Sequence, residues 1–335
     1  MSKSSKKSFA AALMIMSIAC AAVLGICRPA FCAAKPVTLS FAHVMSENSI
    51  AQDIARDVKN YVEKKSNGEI KIDIYPSSSL GGETDYVEGL QAGTIDMALI
   101  TISVFQNWCS ETGLFDIPFI IENFDAASAI WNSDICEPMK KQIRALGMEP
   151  YGAAALGARM LTNNVRPVTV PADVKGLTIR TMVANLPVET WELLGANVVS
   201  MNVGEVFSAL QTGVIDGQEN PITAIKSNSF YEVQKYMSLT GHTFSLYILP
   251  VSNTVASKLT PKQLAIVKEG VEKAARASGK HLDDRTAEDL KFLEKAGVKV
   301  NKINLQAFRD AVKPLYKKYS KVYGNKIDRI LKKEY

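Results

Sequence analysis

The sequence predicts an α/β protein built as two lobes. Strand and helix patterns alternate from the start of the folded part, a seven-residue segment recurs 120 residues later, and an uninterrupted helical stretch of about 36 residues follows. A length of 335 residues also suits two domains.

Val37 to Ala42 alternates apolar and polar side chains as a strand does. After Ser46-Glu47-Asn48, Ile50, Ile54, Val58 and Val62 recur every four residues and form one face of a helix. Ser49 with Gln52 suggests its capping box, and Asn67-Gly68 its end. Glu69 to Tyr75 alternates again, Pro76 to Gly82 reads as a loop, and Glu83 to Ala92 as a helix closed by Gly93. Ile95 to Ile102 is apolar enough for one buried strand. This β-α-β-α-β order predicts a largely parallel sheet covered on both faces.

Leu90-Gln91-Ala92-Gly93-Thr94-Ile95-Asp96 returns as Leu210-Gln211-Thr212-Gly213-Val214-Ile215-Asp216. Each copy ends a helix with a core-facing Leu and turns at a Gly that tolerates positive φ, so two lobes of similar build follow. Between the copies, strands are expected at Glu149 to Ala154, Arg159 to Asn163, Leu177 to Thr181 and Asn197 to Met201, with a helix carrying Val188, Trp191 and Leu194. Thr260-Pro261 starts the long helix and no strong stop precedes Gly297, giving roughly 54 Å, enough to run across both lobes. An amphipathic segment from Leu305 to Leu331 packs outside.

Lys3, Lys6 and Lys7, the apolar run Phe9 to Cys27, and the small residues before Lys35 read as a secretory signal peptide over residues 1–34, cleaved after Ala34. An uncleaved anchor is the alternative, since the apolar run approaches bilayer-spanning length. The net charge is +5, but four of the 39 basic residues lie before residue 35. The remainder balances 35 basic against 34 acidic groups, which argues against a nucleic-acid partner. Only Cys109 and Cys136 follow the leader; a disulfide and two separately buried thiols are both open.

No GxSxG, HExxH, CxxC, GxGxxG or GxxxxGK[ST] occurs. The three histidines, His43, His242 and His281, have no metal-binding spacing. The sequence therefore names no catalytic residue, no metal ligand and no cofactor. What remains is a pair of arginines at the ends of, or within, apolar strand segments. Arg180 alternates with Leu177 and Ile179, and Arg159 opens Arg159-Met160-Leu161-Thr162-Asn163. A guanidinium in a cleft offers a planar fork of donors that fits a carboxylate; a structural ion pair is the other use of such a group.

Asp173 to Arg180 (DVKGLTIR), Leu194 to Asn197 (LGAN) and Glu205 to Pro221 (EVFSALQTGVIDGQENP) resemble the solute-binding proteins of tripartite ATP-independent periplasmic (TRAP) transporters, the DctP family. Phe41-Ala42-His43-Val44, the loop from Tyr75-Pro76 to Leu80-Gly81, and Phe115 to Phe119 (FDIPF) fit the same family, so the likeness spans Val37 to Tyr335. It implies a periplasmic-binding-protein clamshell of type II-like build, with hinge strands and a lobe-spanning helix. The lobes expected are 37–157 plus about 246–285, and about 158–245 plus about 286–335.

The resemblance also implies a periplasmic protein, monomeric, that closes on a small organic acid and delivers it to TRAP membrane permease subunits without catalysis. It assigns the ligand carboxylate to Arg180, with Arg159 assisting and Asn220 closing on the same group. Val203 stands where many members place an aromatic residue against the ligand, and the stretch after Arg180 lacks the proline-asparagine pattern of sialic-acid binders, so that substrate is not carried over. Trp191, Trp108 and Phe105 are pocket aromatics or core residues, and Glu83 and Asp85 are hydroxyl acceptors or helix-start charges. A periplasmic enzyme with scattered catalytic groups, or an extracellular sensor of a carboxylate ligand, are the rival functions.

Overall fold

The computed structural model describes residues 35–335, so the expected leader at 1–34 lies outside the described residues. Alternation places Leu39 and Phe41 of β1 (Val37–Ala42) in the core. Helix α1 (Ile50–Lys65) buries Ile54, Val58 and Val62 as its four-residue spacing requires. Its cap is only half of the expected box. Ser49 Oγ accepts from the Gln52 amide, but the Gln52 side chain turns away to His43 Nε2 at 2.7 Å.

Strand β2 (Ile70–Tyr75) pairs parallel with β1. Helix α2 (Glu83–Ala92) ends at left-handed Gly93. The single strand expected over residues 95–102 is instead two short ones, β3 (Met97–Ala98) and β4 (Ile100–Thr101), followed by 3₁₀ turns. The Leu99 amide still donates to Ala42 of β1, after which residues 100–101 pair with the strand Phe244–Ser252 and the Thr101 amide is taken by the Glu83 carboxylate. Helices α3 (Phe124–Asn132) and α4 (Glu137–Ala145) lead into β5 (Met148–Asn163), which joins the two strands expected there.

The second half repeats the first. Strand β6 (Thr178–Thr181), α5 (Asn185–Leu193), β7 (Asn197–Ser200), α6 (Val203–Gln211), β8 (Gly217–Pro221) and α7 (Ile222–Ser227) follow in order. In the first half β1 lies between β2 and β3, in the second β6 lies between β7 and β8, and all four pairings are parallel. The repeated Asp does the same work twice. Asp96 accepts from the Ser40 amide of β1 at 2.9 Å and Asp216 from the Thr178 amide of β6 at 2.8 Å. Gly93 and Gly213 have φ of 75° and 74°.

The chain closes with β9 (Tyr236–Leu239), β10 (Phe244–Ser252), α8 (Val255–Lys258), α9 (Pro261–Lys295), β11 (Lys299–Lys302), α10 (Leu305–Tyr323) and α11 (Lys326–Leu331). The path β2-β1-β3-β10-β5-β8-β6-β7 makes one sheet. It is mixed rather than largely parallel, because β5 and β10 cross its middle antiparallel. The first part of β5 pairs with β10, and from Arg159 onward it pairs with β8 and β9, so this strand carries the chain between the halves.

Helix α9 spans both. Arg285 reaches Asp53 of α1 at 2.6 Å, Ser278 Oγ accepts from Ala155 of β5, and Asp289 holds Lys226 of α7. The C-terminal helices also touch both halves: Tyr316 and Tyr323 donate to the carbonyls of Pro118 and Ser110, and Lys318 pairs with Glu189 of α5. Cys109 and Cys136 are free and buried, which pushes their thiols up to about 11 and about 12. Among the described residues no helix is long and apolar enough to cross a membrane.

Candidate functional site

The short β6 carries Ile179 into the core and turns Arg180 the other way, into the space between the halves. Arg180 is 3% exposed. Its Nε and Nη2 donate to the Met201 carbonyl at 2.9 and 2.5 Å, and it forms no ion pair among the described residues. Burial pulls its pKa down to about 10, opposed by the charges of Glu219 and Glu83, so it stays cationic at neutral pH.

Arg159 has the opposite fate. Both it and Glu219 are 1% exposed, and its Nε and Nη2 grip the two Glu219 carboxylate oxygens, the second at 2.9 Å. Nη2 also donates to Asn220 Oδ1 at 3.1 Å. His242 Nε2 lies 3.1 Å from the same carboxylate, and its Nδ1 is held by Thr240. Burial alone would raise the Glu219 pKa, but Arg159 and His242 bring it down to about 2.

Each residue of the Asp216–Asn220 run now has a task. Asp216 fastens β6, Gly217 lets β5 approach, and Gln218 Oε1 accepts from the Asn220 amide at 2.6 Å. A Cβ on Gly217 would lie 2.1 Å from the Thr162 carbonyl oxygen, so no other residue fits there without a shift. Glu219 neutralises Arg159, and Asn220 is oriented by Gln218 and Arg159 together. Sequence reasoning selected Arg159 and Asn220 but missed Glu219 between them, although it is the acid nearest Asn220 in the same motif.

Glu83 opens α2, half-buried, with Oε1 accepting from both the amide and the hydroxyl of Thr101 at 2.6 and 2.8 Å. Burial raises its pKa, and the Thr101 bonds and the two arginines oppose that. Asp85 caps the same helix through the Gly82 amide. Asp116, from the FDIPF segment and also missed, is buried beneath Ser103 and Gln106, and burial pushes its pKa up to about 7.

The cleft at Arg180 is bounded by Glu83, Thr84, Asn202 and a set of apolar side chains that includes Val203. It encloses about 10 Å³, room for about one water. Arg180, Glu83 and Val203 are thus brought together, whereas Arg159 and Asn220 stand outside its wall. Trp191 is fully buried and meets His242 edge-on with centroids 5.0 Å apart, so it backs the Arg159 ion pair and does not line the cleft. Phe105 is core and Trp108 half-buried. Larger hollows of about 380 and 440 Å³ flank Ala158 and Phe244 and contain neither Arg159 nor Arg180.

Three contacts shut the cleft. Asn107 Nδ2 donates to the Val183 carbonyl at 3.0 Å, the Leu186 amide to Gln106 Oε1 at 3.1 Å, and Ser46 Oγ to the Ser227 carbonyl at 2.8 Å.

Comparison with known proteins gives one consistent family. Residues 41–322 match the bacterial extracellular solute-binding proteins of family 7, DctP. A solute-binding protein of Roseobacter denitrificans is 33% identical over 281 residues, 84% of this chain and 86% of that protein. The sialic acid-binding periplasmic protein SiaP of Vibrio cholerae is 30% identical over 295 residues, 87% and 90% of the two chains. Among solved structures, a TRAP periplasmic solute-binding protein from Bordetella bronchispeptica, with density assigned as pantoate, aligns at a TM-score of 0.84 and 35% identity, covering 88% of this chain and 98% of that one. Another from Polaromonas sp. JS666, bound to D-erythronate, aligns at 0.85 and 32% identity over the same shares.

Proposed function

The chain belongs to the bacterial extracellular solute-binding proteins of family 7, the binding components of TRAP transporters, and from this premise we propose that it captures a small organic acid through Arg180 and hands it to a membrane permease. The observation that carries the reading is the contrast between the two buried arginines. Arg159 already has a carboxylate partner inside the protein, and Arg180, among the described residues, has only one carbonyl oxygen. A desolvated guanidinium without an anion is poised to take one from outside. The pantoate and D-erythronate of the related structures each bear a carboxylate, which supports this.

In the proposed cycle the halves part, the carboxylate meets Arg180, and closure buries it while Asn107, Gln106 and Ser46 rejoin their partners across the cleft. Asn220, held by Arg159 behind the cleft, takes no part in this grip. No bond in the ligand is made or broken. We assign the lobes to residues 37–157 plus about 246–285, and about 158–245 plus about 286–335, with the C-terminal helices lying across both. Residues 1–34 are proposed as the leader that sends the protein to the periplasm, where it works as a monomer.

Arg180→Ala tests the assignment. In calorimetry against a panel of organic acids identified by thermal shift, affinity falls by at least about tenfold while the fold is kept. Arg180→Lys also weakens binding, because an ammonium cannot reproduce the planar fork. Unchanged affinity in the Ala variant would remove Arg180 from the site.

A further inference from the structure

Resting on Arg180 as the carboxylate anchor, the geometry points to a narrower ligand class: we propose that the cleft selects a small, branched aliphatic monocarboxylate with one hydroxyl near its acid group. Six of the ten side chains around the cleft are Val44, Val104, Met182, Val183, Met201 and Val203. Besides Arg180, the polar side chains there are those of Glu83, Thr84 and Asn202, and the Met201 carbonyl is taken by Arg180. Branched methyl groups match the four valines, and the two methionines, unbranched and deformable, adapt to a guest as the halves part.

The hydroxyl is read from Glu83. Its Oε1 is used by Thr101, while Oε2 receives no hydrogen bond among the described residues, and Glu83 borders the same cleft as Arg180. One carboxylate oxygen accepts a hydroxyl placed close to the anchored acid group. Further hydroxyls, as in a sugar acid, would be driven against valine and methionine and lose their water without replacement. A second carboxylate fares worse, because it meets Glu83, and the other buried guanidinium, Arg159, is already satisfied by Glu219.

The test is calorimetry on the purified protein with 2-hydroxy-3-methylbutanoate, 3-methylbutanoate, D-erythronate, D-galactonate and succinate, repeated in Glu83→Gln and Arg180→Ala. Glu83→Gln keeps an oxygen for Thr101. The hydroxy acid binds at least about tenfold more tightly than the polyhydroxy acids and succinate, and Glu83→Gln narrows its advantage over 3-methylbutanoate. Equal or tighter binding of erythronate, galactonate or succinate that Arg180→Ala abolishes would overturn the class and leave the anchor standing. Absence of binding by 2-hydroxy-3-methylbutanoate overturns the class as well. Tight binding that survives Arg180→Ala would instead overturn the anchor.

Discussion

Arg159 and Arg180 stand on strands separated only by β8, and their neighbours give them different jobs. The sequence marks both, because each sits in or at the end of an apolar strand segment, but it cannot separate them. The acid that occupies Arg159 lies 60 residues away and meets it only through the β5–β8 pairing. Trp191 illustrates the same limit, since an aromatic at helical spacing reads alike whether it faces a ligand or His242.

The buried acids give opposite pH signatures. Glu219 titrates near 2 in the fold against 4.5 for a free side chain, so the stability it contributes is present above about 4.5 and lost as pH falls toward 2. Asp116 runs the other way. With its folded pKa near 7 against 3.8, the folded state holds the extra proton in that window, and stability declines as pH rises through it. Asp116→Asn should flatten the pH dependence of urea unfolding between about 4 and 7. An unchanged slope would show that Asp116 does not titrate there.

At the scale of elements, most of the pattern was legible locally. The capped starts at Ser49 and Thr260, the turns at Gly93 and Gly213, and the alternation of β1 and β2 depend on residues within a few positions of one another. The failures came from long-range capture of backbone groups. Residues 95–102 are apolar enough for one strand, yet the Glu83 carboxylate takes the Thr101 amide and ends it. Gln52, well placed for a capping box, is drawn to His43 instead.

The β5–β8 contact offers a sharp test of an element. A methyl at Gly217 meets the backbone of Thr162 and not a movable side chain. Gly217→Ala therefore forces the strands apart and should lower stability by about 1–3 kcal/mol in denaturant titration. The same shift displaces Glu219 and Asn220, so ligand affinity falls too. A variant with the parental midpoint and affinity would show that the strands tolerate the methyl group.

On the scale of the whole molecule, the halves meet through few polar bonds around the cleft, which suits a structure that must part. Asn107→Ala removes the bond to Val183 across the cleft, together with a local one to the Val104 carbonyl that does not depend on closure. One lost hydrogen bond of about 1 kcal/mol available only in the closed form should weaken ligand affinity about fivefold. Equal affinity would mean that this contact plays no part in closure. The two-lobed plan was visible in the repeated heptapeptide, whereas the antiparallel crossing of β5 and β10 was not, since strand direction is decided by partners distant in sequence.

Helix α9 lies on α1 from Gly270, against Val62, to Arg285, which meets Asp53, and is fastened to β5 through Ser278 and to α7 through Asp289. Such a beam, about 52 Å long, cannot stay unstrained while the bodies it joins rotate. Opening the cleft therefore has to bend this helix or release one of its attachments.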